Sequence, residues 1–394
     1  MKLEGKIILG ERQERRVRSG HLWIFSNEIA STEGTEGDGG LVEILTSRRT
    51  FVGIGYYNRH SLIAARLLTN RREEVDQRFF HRRIGRALSQ RVAWRSDFTS
   101  GRVVYSEGDG LPGLIIDRYG EYLALQILTL GMERLKGTII GAVTEVLQPK
   151  GILMRNDSPY RALEGLEAGK EVSSGEIPEE IRIEEHGLTY AINLVDTQKT
   201  GFYFDQRDNR RLLRDYVKGK RVLDCFCYSG GFALNAAAGG ASVVLAVDQS
   251  GPAIESAREN SRLNGMSDRI TFETGDCFDR LREMAEAKEP YDVIILDPPA
   301  FVKSRQTLAQ GLRGYRDVNL HAMRLLPRDG VLITCSCSHH VDLEDFLKML
   351  RTAARDSHRR FRTLHVGTQA ADHPVLLAMP ETQYLKCVVL QAIN

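Results

Sequence analysis

From about residue 196 onward, short apolar runs alternate with segments of helical spacing. "RVLDCF" precedes "GGFALNAAAGG", and "SVVLAVD" precedes "GPAIESARENSRLNG". "ITFETGD" and "YDVIILDPP" follow, then "YRDVNLHAMRLL" and "GVLITCSCS". This alternation specifies an α/β unit: a mostly parallel sheet whose crossovers place helices on both faces. The rest of the chain has to be organised differently. Residues 1 to about 70 are short alternating runs ("KIILG", "LVEIL", "FVGIGYY", "AARLL") broken by turns such as "TEGTEGDGG". Short strands between Gly-rich turns predict a small β-barrel.

Between these lies a second small unit, with α+β character. Val75 to about Val92 has helical spacing and many arginines. "EGDGLPGLIIDRYGEYLALQIL" reads as turn, strand, turn, strand; "MERLKGTIIGAVTEVL" as helix; "GILMRND" as strand. "SSGEIPEE" reads as a polar loop, and "IRIEEHGLTYAINL" as a hairpin leading onward. The expected domains are therefore 1–72, 73–192 and 193–394.

Charge separates the first segment from the body. Residues 1–100 carry 18 Lys+Arg against 12 Asp+Glu, although the chain of 394 residues has a net charge of only +2. A basic end on a near-neutral body suits a polyanion partner held by that end. No run approaches the ~18 apolar residues of a membrane span, and "KIILG" gives way to charges where a signal peptide needs an apolar stretch. The expectation is a cytoplasmic protein with no membrane contact. The six cysteines fit a reducing compartment.

In an open parallel sheet, ligands bind beyond the carboxyl ends of the strands. Four successive strands of the C-terminal unit end in acids: Asp224, Asp248, Asp276 and Asp297. After Asp224 the chain continues "CFCYSGGF", so Tyr228 and Gly230 lie in the turn that opens a helix. Glycine there lets backbone approach a ligand, beside helix N–H groups that favour a carboxylate. Asp248 is placed to accept hydrogen bonds from a ribose diol. G-x-G-x-x-G is absent, so there is no pyrophosphate cradle. A diol-binding acid without a phosphate loop points to S-adenosylmethionine rather than a dinucleotide. Any one of these acids can equally be a helix cap or turn residue. No metal is expected. The C-x-C pairs Cys225/Cys227 and Cys335/Cys337 leave strands separated by a third. That spacing of about 9–10 Å is too wide for sulfurs that must all lie ~2.3 Å from one zinc ion.

"DPPAF", Asp297 to Phe301, follows a buried run and is stiffened by two prolines. Asp297 offers an acceptor, and Phe301 either a stacking surface or ordinary packing. An acid and a ring beside a methyl donor suit a flat heterocycle flipped out of its stack. Of the cysteines ending the last of these runs, Cys337 sits at the exit and Cys335 lies one pleat deeper, as packing. A thiolate there has a use. Added to carbon 6 of cytosine, it turns carbon 5 into a nucleophile. Asp297, sharing a proton with ring nitrogen 3, stabilises the adduct. The base that removes the carbon-5 proton is not identified; His339 and His340 read as surface or capping residues.

These features resemble the large-subunit (23S) ribosomal RNA cytosine-5 methyltransferases of the RlmI type, over essentially the whole chain. The matching stretches are "SGHLWIFSNEI" with "GIGYYN", "SEGDGLPGLIIDRYG", "QKTGFYFDQRDNR" (Gln198 to Arg210), "VLDCFCYSGGF", "LDPPAF" and Ser336-Cys337-Ser338. The resemblance implies an N-terminal PUA barrel, a central α+β domain and a Rossmann-like class I methyltransferase domain. It implies Cys337 as nucleophile and Asp297 as base-recognition residue. It places Asp224, Gly230, Asp248 and Asp276 around the cofactor, and Gln206 near the cofactor's amino-acid end. PUA modules bind structured RNA, which agrees with the basic first segment. Arg18, His21, Trp23 and Phe25 are the candidate RNA contacts, the two aromatics reading equally as barrel core. The implied partner is 23S ribosomal RNA or a large-subunit precursor, and a homodimer is possible through an exposed sheet edge. Cys335 and the "HH" after "SCS" depart from the family's pattern.

Two rival readings remain at this level. An RNA guanine or exocyclic-amino methyltransferase shares the "DPP-x-F" loop without needing a thiol. A non-catalytic RNA-binding factor with a vestigial cofactor fold needs neither the strand-end acids nor Cys337.

Overall fold

The structure is a computed structural model, described over residues 2–35, 37–195 and 201–393. Gln198, Lys199 and Thr200, which open one of the matching stretches, lie outside the described residues. Two compact units are present. One comprises Met1–Ile183, Ile192–Phe204 and Ala371–Thr382; the other comprises Glu184–Ala191, Asp205–Ala370 and Gln383–Asn394.

The first unit contains the PUA-like module. Its six-stranded sheet runs, in spatial order, Trp23–Ile24, Ala65–Thr69, Phe51–Tyr57, Gly40–Leu45, Gly5–Leu9 and Ile29–Glu33. Gly5–Leu9 pairs in parallel with Gly40–Leu45; the remaining pairings are antiparallel. The same unit holds a five-stranded sheet built from Gly169–Gly175, Gly151–Asn156, Tyr122–Ile127, Leu114–Tyr119 and Ser100–Tyr105. The predicted arginine-rich helix spans Gln77–Trp94, started by Asp76, whose carboxylate accepts from Phe79 N at 2.8 Å. Phe79, Phe80 and Ile84 on its apolar face are fully buried against Ile139 and Val143 of the helix Lys136–Leu147. Truncating a ring such as Phe79 to alanine costs about 3–5 kcal/mol at a site of this kind. A buried carboxylate, Glu164, gathers Asn58, Ser61, Arg66 and the Leu130 N–H.

One expectation here is corrected. Ser173 to Gly175, read as loop, belong to the strand Gly169–Gly175. This strand is at the edge of its sheet and almost wholly exposed, paired among the described residues only with Gly151–Asn156. Having no core face, it carries no apolar alternation to betray it.

The second unit holds the α/β sheet that the alternation predicts. Its seven-stranded sheet comprises Arg221–Cys225, Val243–Asp248, Ile270–Thr274, Val293–Leu296, Val331–Ser336, Phe361–Gly367 and Lys386–Ala392. Numbered by sequence within the sheet, the spatial order is 3-2-1-4-5-7-6. Pairings through the first five are parallel, and Lys386–Ala392 runs antiparallel to both its neighbours. The central runs are apolar throughout because helices cover both faces. Leu223, Ile294, Leu296 and Leu332 are fully buried with Tyr315 and Phe346 from the helices Leu308–Leu325 and Leu343–Asp356. The strand order reverses between Arg221–Cys225 and Val293–Leu296, the place where such sheets open a crevice at their carboxyl ends.

Candidate active site

Parallel register sets the depth of each group at that crevice. Cys225 lies level with Leu296, and Leu296 level with Thr334. Asp297 therefore begins the exit loop at the level of Cys335, and Cys337 stands one pleat farther out. The expected placement of the strand ending in Asp297, between those ending in Asp224 and Ser336, is what the sheet order shows.

The turn after Asp224 is conformationally unusual. Phe226, Tyr228 and Gly230 all have positive φ, at 63°, 48° and 81°. Phenylalanine and tyrosine resist that region, and such positions concentrate at functional sites. The turn is closed by Gly230 N donating to Cys227 O at 2.8 Å and Cys227 N to Val247 O at 3.1 Å. A Cβ on Gly230 would lie 3.1 Å from the Ala257 methyl. Asp248 is half-buried and accepts from Tyr228 N and Ser250 N, each at 2.9 Å. Asp248 thereby fixes the turn and keeps its carboxylate at the strand exit.

Asp224 is different. It is fully buried, and neither carboxyl oxygen has a hydrogen bond within 3.5 Å among the described residues. Burial pushes its carboxyl well above the usual range, and Asp297 and Asp248 add to this. A crowded, under-neutralised set of acids beside an open turn is complementary to a cationic ligand. S-adenosylmethionine, with a sulfonium and an ammonium, has that character, so the donor set fits it. Asp276 is exposed and serves as the N-cap of the helix Cys277–Ala287, accepting from Phe278 N at 2.7 Å.

Across the crevice, a chain of amides leads to Asp297. Asn209 Nδ2 donates to Gln206 Oε1 at 2.7 Å, and Gln206 Nε2 donates to Asp297 Oδ1 at 2.8 Å. Gln206 and Asn209 are buried, and both belong to "FDQRDN". Gln206, which the resemblance places near the cofactor's amino-acid end, is thus also linked to the base-recognition candidate. Beside it, Asp205 accepts from the Tyr384 hydroxyl.

Cys337 is half-buried, with Sγ 3.9 Å from Pro298 O. The other five cysteines are buried. Cys225 lies against Cys277, and Cys335 against Cys387, so the two C-x-C pairs do not converge. Ser338, next after Cys337, is pinned by the Tyr315 hydroxyl at 2.9 Å and by Val302 N at 3.2 Å. Burial pushes the Tyr315 phenol up to about 12, with a contribution from Cys337. Phe301 is half-buried and packs on Tyr315, ring centroids 4.7 Å apart, and near Phe278 at 5.5 Å. His339 is exposed and stacks on Tyr384 at 5.0 Å; His340 is exposed. The sequence reading missed Asn209, Tyr315, Ser338 and Lys386. Asn209 and Ser338 sat inside or beside the family-matching stretches, and Tyr315 opened the helical segment "YRDVNLHAMRLL".

In the first unit, Arg18 is exposed at the end of the helix Glu14–Arg18. Trp23 is half-buried, its indole N–H donating to Glu107 at 2.9 Å. Phe25 is half-buried under the Arg16 guanidinium, 4.7 Å from the ring centroid. His21 is only 3% exposed and accepts from Trp23 N at 3.1 Å. Of the four RNA-contact candidates, Arg18 presents its side chain to solvent and His21 is enclosed.

Comparison with known proteins agrees with this geometry. Residues 147–378 match the S-adenosylmethionine-dependent methyltransferase family, and residues 7–70 match the PUA-like domain family. A protein of Photobacterium profundum named ribosomal RNA large subunit methyltransferase I is 40% identical over 386 residues, covering 96% of this chain and 97% of that protein. One of the same name from Aeromonas hydrophila is 41% identical over 396 residues, covering 99% and 100%. A solved chain from Streptococcus mutans, described as a SAM-dependent methyltransferase, superposes with TM-score 0.85 at 21% identity, covering 98% of this chain and 99% of that one. A further solved methyltransferase, in complex with SAH, superposes with TM-score 0.86 at 21% identity over the same shares. Among the described residues no helix is long and apolar enough to cross a membrane. The strand order, the acids at the strand exits and the relatives matched along nearly the full length place this chain in the ribosomal RNA large subunit methyltransferase I family, whose members use S-adenosylmethionine as methyl donor.

Proposed function

We propose that this protein methylates carbon 5 of a cytosine in large-subunit ribosomal RNA, with Cys337 as covalent nucleophile. The observation that carries the reading is the position of Cys337. It is the half-exposed thiol of the six, at the crevice rim next to the strand that ends in Asp297. Guanine or exocyclic-amine methylation gives a thiol at that point no task. The RNA class follows from the name borne by the full-length relatives and from the basic first hundred residues.

Asp224, Tyr228, Gly230, Asp248 and Asp276 would hold the cofactor. When bound, S-adenosylmethionine supplies an electrophilic methyl group to the nucleophilic carbon. The chain's own residues do the rest. The Cys337 thiolate donates an electron pair to carbon 6, forming a C–S bond and shifting the ring π pair to carbon 5. Asp297, oriented by Gln206, shares a proton with ring nitrogen 3 and stabilises that charge. After methylation the carbon-5 proton leaves to a base, its electron pair re-forms the ring double bond, and the C–S bond breaks to return the thiolate. Phe301 offers a ring edge for the base, and Arg18 with Trp23 contributes to RNA contact in the PUA-like module.

RNA carrying 5-fluorocytosine at the target position tests the reading, because fluorine cannot leave as a cation and the adduct persists. A denaturation-resistant protein–RNA species that requires both S-adenosylmethionine and Cys337 is expected. Full turnover on RNA by Cys337→Ala would overturn the proposal in favour of guanine or exocyclic chemistry.

A further inference from the structure

The mechanism above leaves one buried charge unused. Lys386 opens the strand Lys386–Ala392 and is 5% exposed. Its register partner is Ser336, the residue before Cys337. Its Nζ donates to Ser338 O at 2.8 Å, the carbonyl just after Cys337, and to Tyr384 O at 2.7 Å. The ammonium is therefore clamped against the backbone that carries the thiol. Two neutral carbonyls do not balance a buried positive charge. The groups of negative character that act on it are Cys337 and Asp342. Asp342 is exposed and already caps the helix Leu343–Asp356, accepting from Asp345 N at 2.7 Å.

We propose that Lys386 is a positioning residue whose ammonium holds Cys337 as a thiolate, forming a built-in ion pair at the crevice rim. The inference rests on Cys337 being the nucleophile of this site, and it supplies what that role needs, since a free cysteine is mostly thiol at pH 7. The attraction is reciprocal: whatever the thiolate does to keep Lys386 charged, Lys386 does to keep Cys337 ionised. Burial draws the Lys386 ammonium down to about 8, against the pull of Cys337 and Asp342. The cation of the pair is thus present below about that pH and fades above it. Other groups facing this pocket are Tyr315 from the helix Leu308–Leu325, Asp297 from the neighbouring strand end, His339 and the Asp205–Tyr384 pair. Tyr315 is neutral at working pH.

The test is the pH dependence of iodoacetamide alkylation at Cys337 in the full chain without RNA, read by peptide mass. The wild-type midpoint should lie at least about one unit below the ~8.5 of a free cysteine. Lys386→Met should raise it to that value or higher, cutting the rate at pH 7 at least about fivefold and leaving the rate at pH 10 unchanged. Lys386→Gln keeps donors for the two carbonyls without the charge and should behave alike. A thiolate absorbance titration of wild type against Cys337→Ser requires no Lys386 variant. A wild-type midpoint near 8.5, or an unchanged midpoint in a folded Lys386 variant, overturns the inference. Such a result with RNA trapping intact removes the ion pair alone. A depressed midpoint without trapping keeps the pair and removes the cytosine reading.

Discussion

Gln206 donates its side-chain amide to Asp297 at 2.8 Å, joining two motifs 91 residues apart. Asn209 fixes the other end of that amide at 2.7 Å, so the orientation of the Asp297 carboxyl is set from behind. Replacing Gln206 by Leu should lower kcat about 10–100-fold with little change in S-adenosylmethionine affinity, because base recognition and not cofactor binding loses its support. Single-turnover methyl transfer and cofactor calorimetry separate the two. A raised cofactor dissociation constant at unchanged kcat would put Gln206 back on the cofactor side.

Cys337→Ala should lower methyl transfer at least about 10³-fold, with cofactor affinity within a few-fold of wild type. The side chain lies at the rim, one pleat beyond Cys335, and holds up none of the core. Unchanged cofactor affinity distinguishes chemistry from folding; the melting temperature should fall somewhat, because the variant leaves the buried Lys386 ammonium without its thiolate.

Asp248 holds two backbone N–H groups of the turn and, in the proposed cofactor site, would accept from the ribose diol. Asp248→Ala removes both tasks. Cofactor affinity should fall about 10–100-fold, corresponding to about 1.4–2.8 kcal/mol. Asp248→Asn keeps one acceptor oxygen and should lose less. Calorimetric titration with S-adenosylhomocysteine measures both.

Asp224 has its carboxyl pushed up by burial and by Asp297, so the folded protein binds a proton that the unfolded chain releases above its ordinary value near 3.9. The stability from that proton is fully present below the unfolded value and is lost as pH rises through the folded one. In cofactor-free protein, Asp224→Asn should remove this loss. The variant should be the more stable at pH 8, by about 1 kcal/mol or more, and the difference should shrink toward pH 4. Denaturant melts across that range decide it; parallel curves for the two proteins would contradict the assignment.

Glu185 has the opposite sign. Burial alone would raise its carboxyl, but Arg210 and Arg207 outweigh this and hold it below the usual range. Its contacts are 2.7 Å to Arg210 and 3.2 Å to Arg207. The stability it contributes is present above the unfolded value and is lost as pH falls through the folded one. Glu185→Ala takes from two buried guanidinium groups the carboxylate they share and should cost about 3–5 kcal/mol at pH 7. The gap to wild type should narrow in acid.

The alternation of apolar runs and helical segments determined the C-terminal sheet. Apolar periodicity reports which face of an element is buried, and these elements bury their faces locally. Parallel strands then align at their carboxyl ends, so the sequence alone could bring Asp224, Asp248, Asp297 and Cys337 to one rim. The same logic separated Cys337 from Cys335. It failed for the strand Gly169–Gly175, an exposed edge without a core face. It also did not show that His21 is enclosed.

Only the tertiary structure decided which distant groups touch. Lys386 reaches the backbone beside Cys337 because the last strand inserts antiparallel between Val331–Ser336 and Phe361–Gly367. Gln206 reaches Asp297, and Tyr315 reaches Ser338, by crossings of the same kind. Local spacing carries no record of strand order. A lysine at the start of an apolar run therefore reads as solvent-facing until the sheet closes over it.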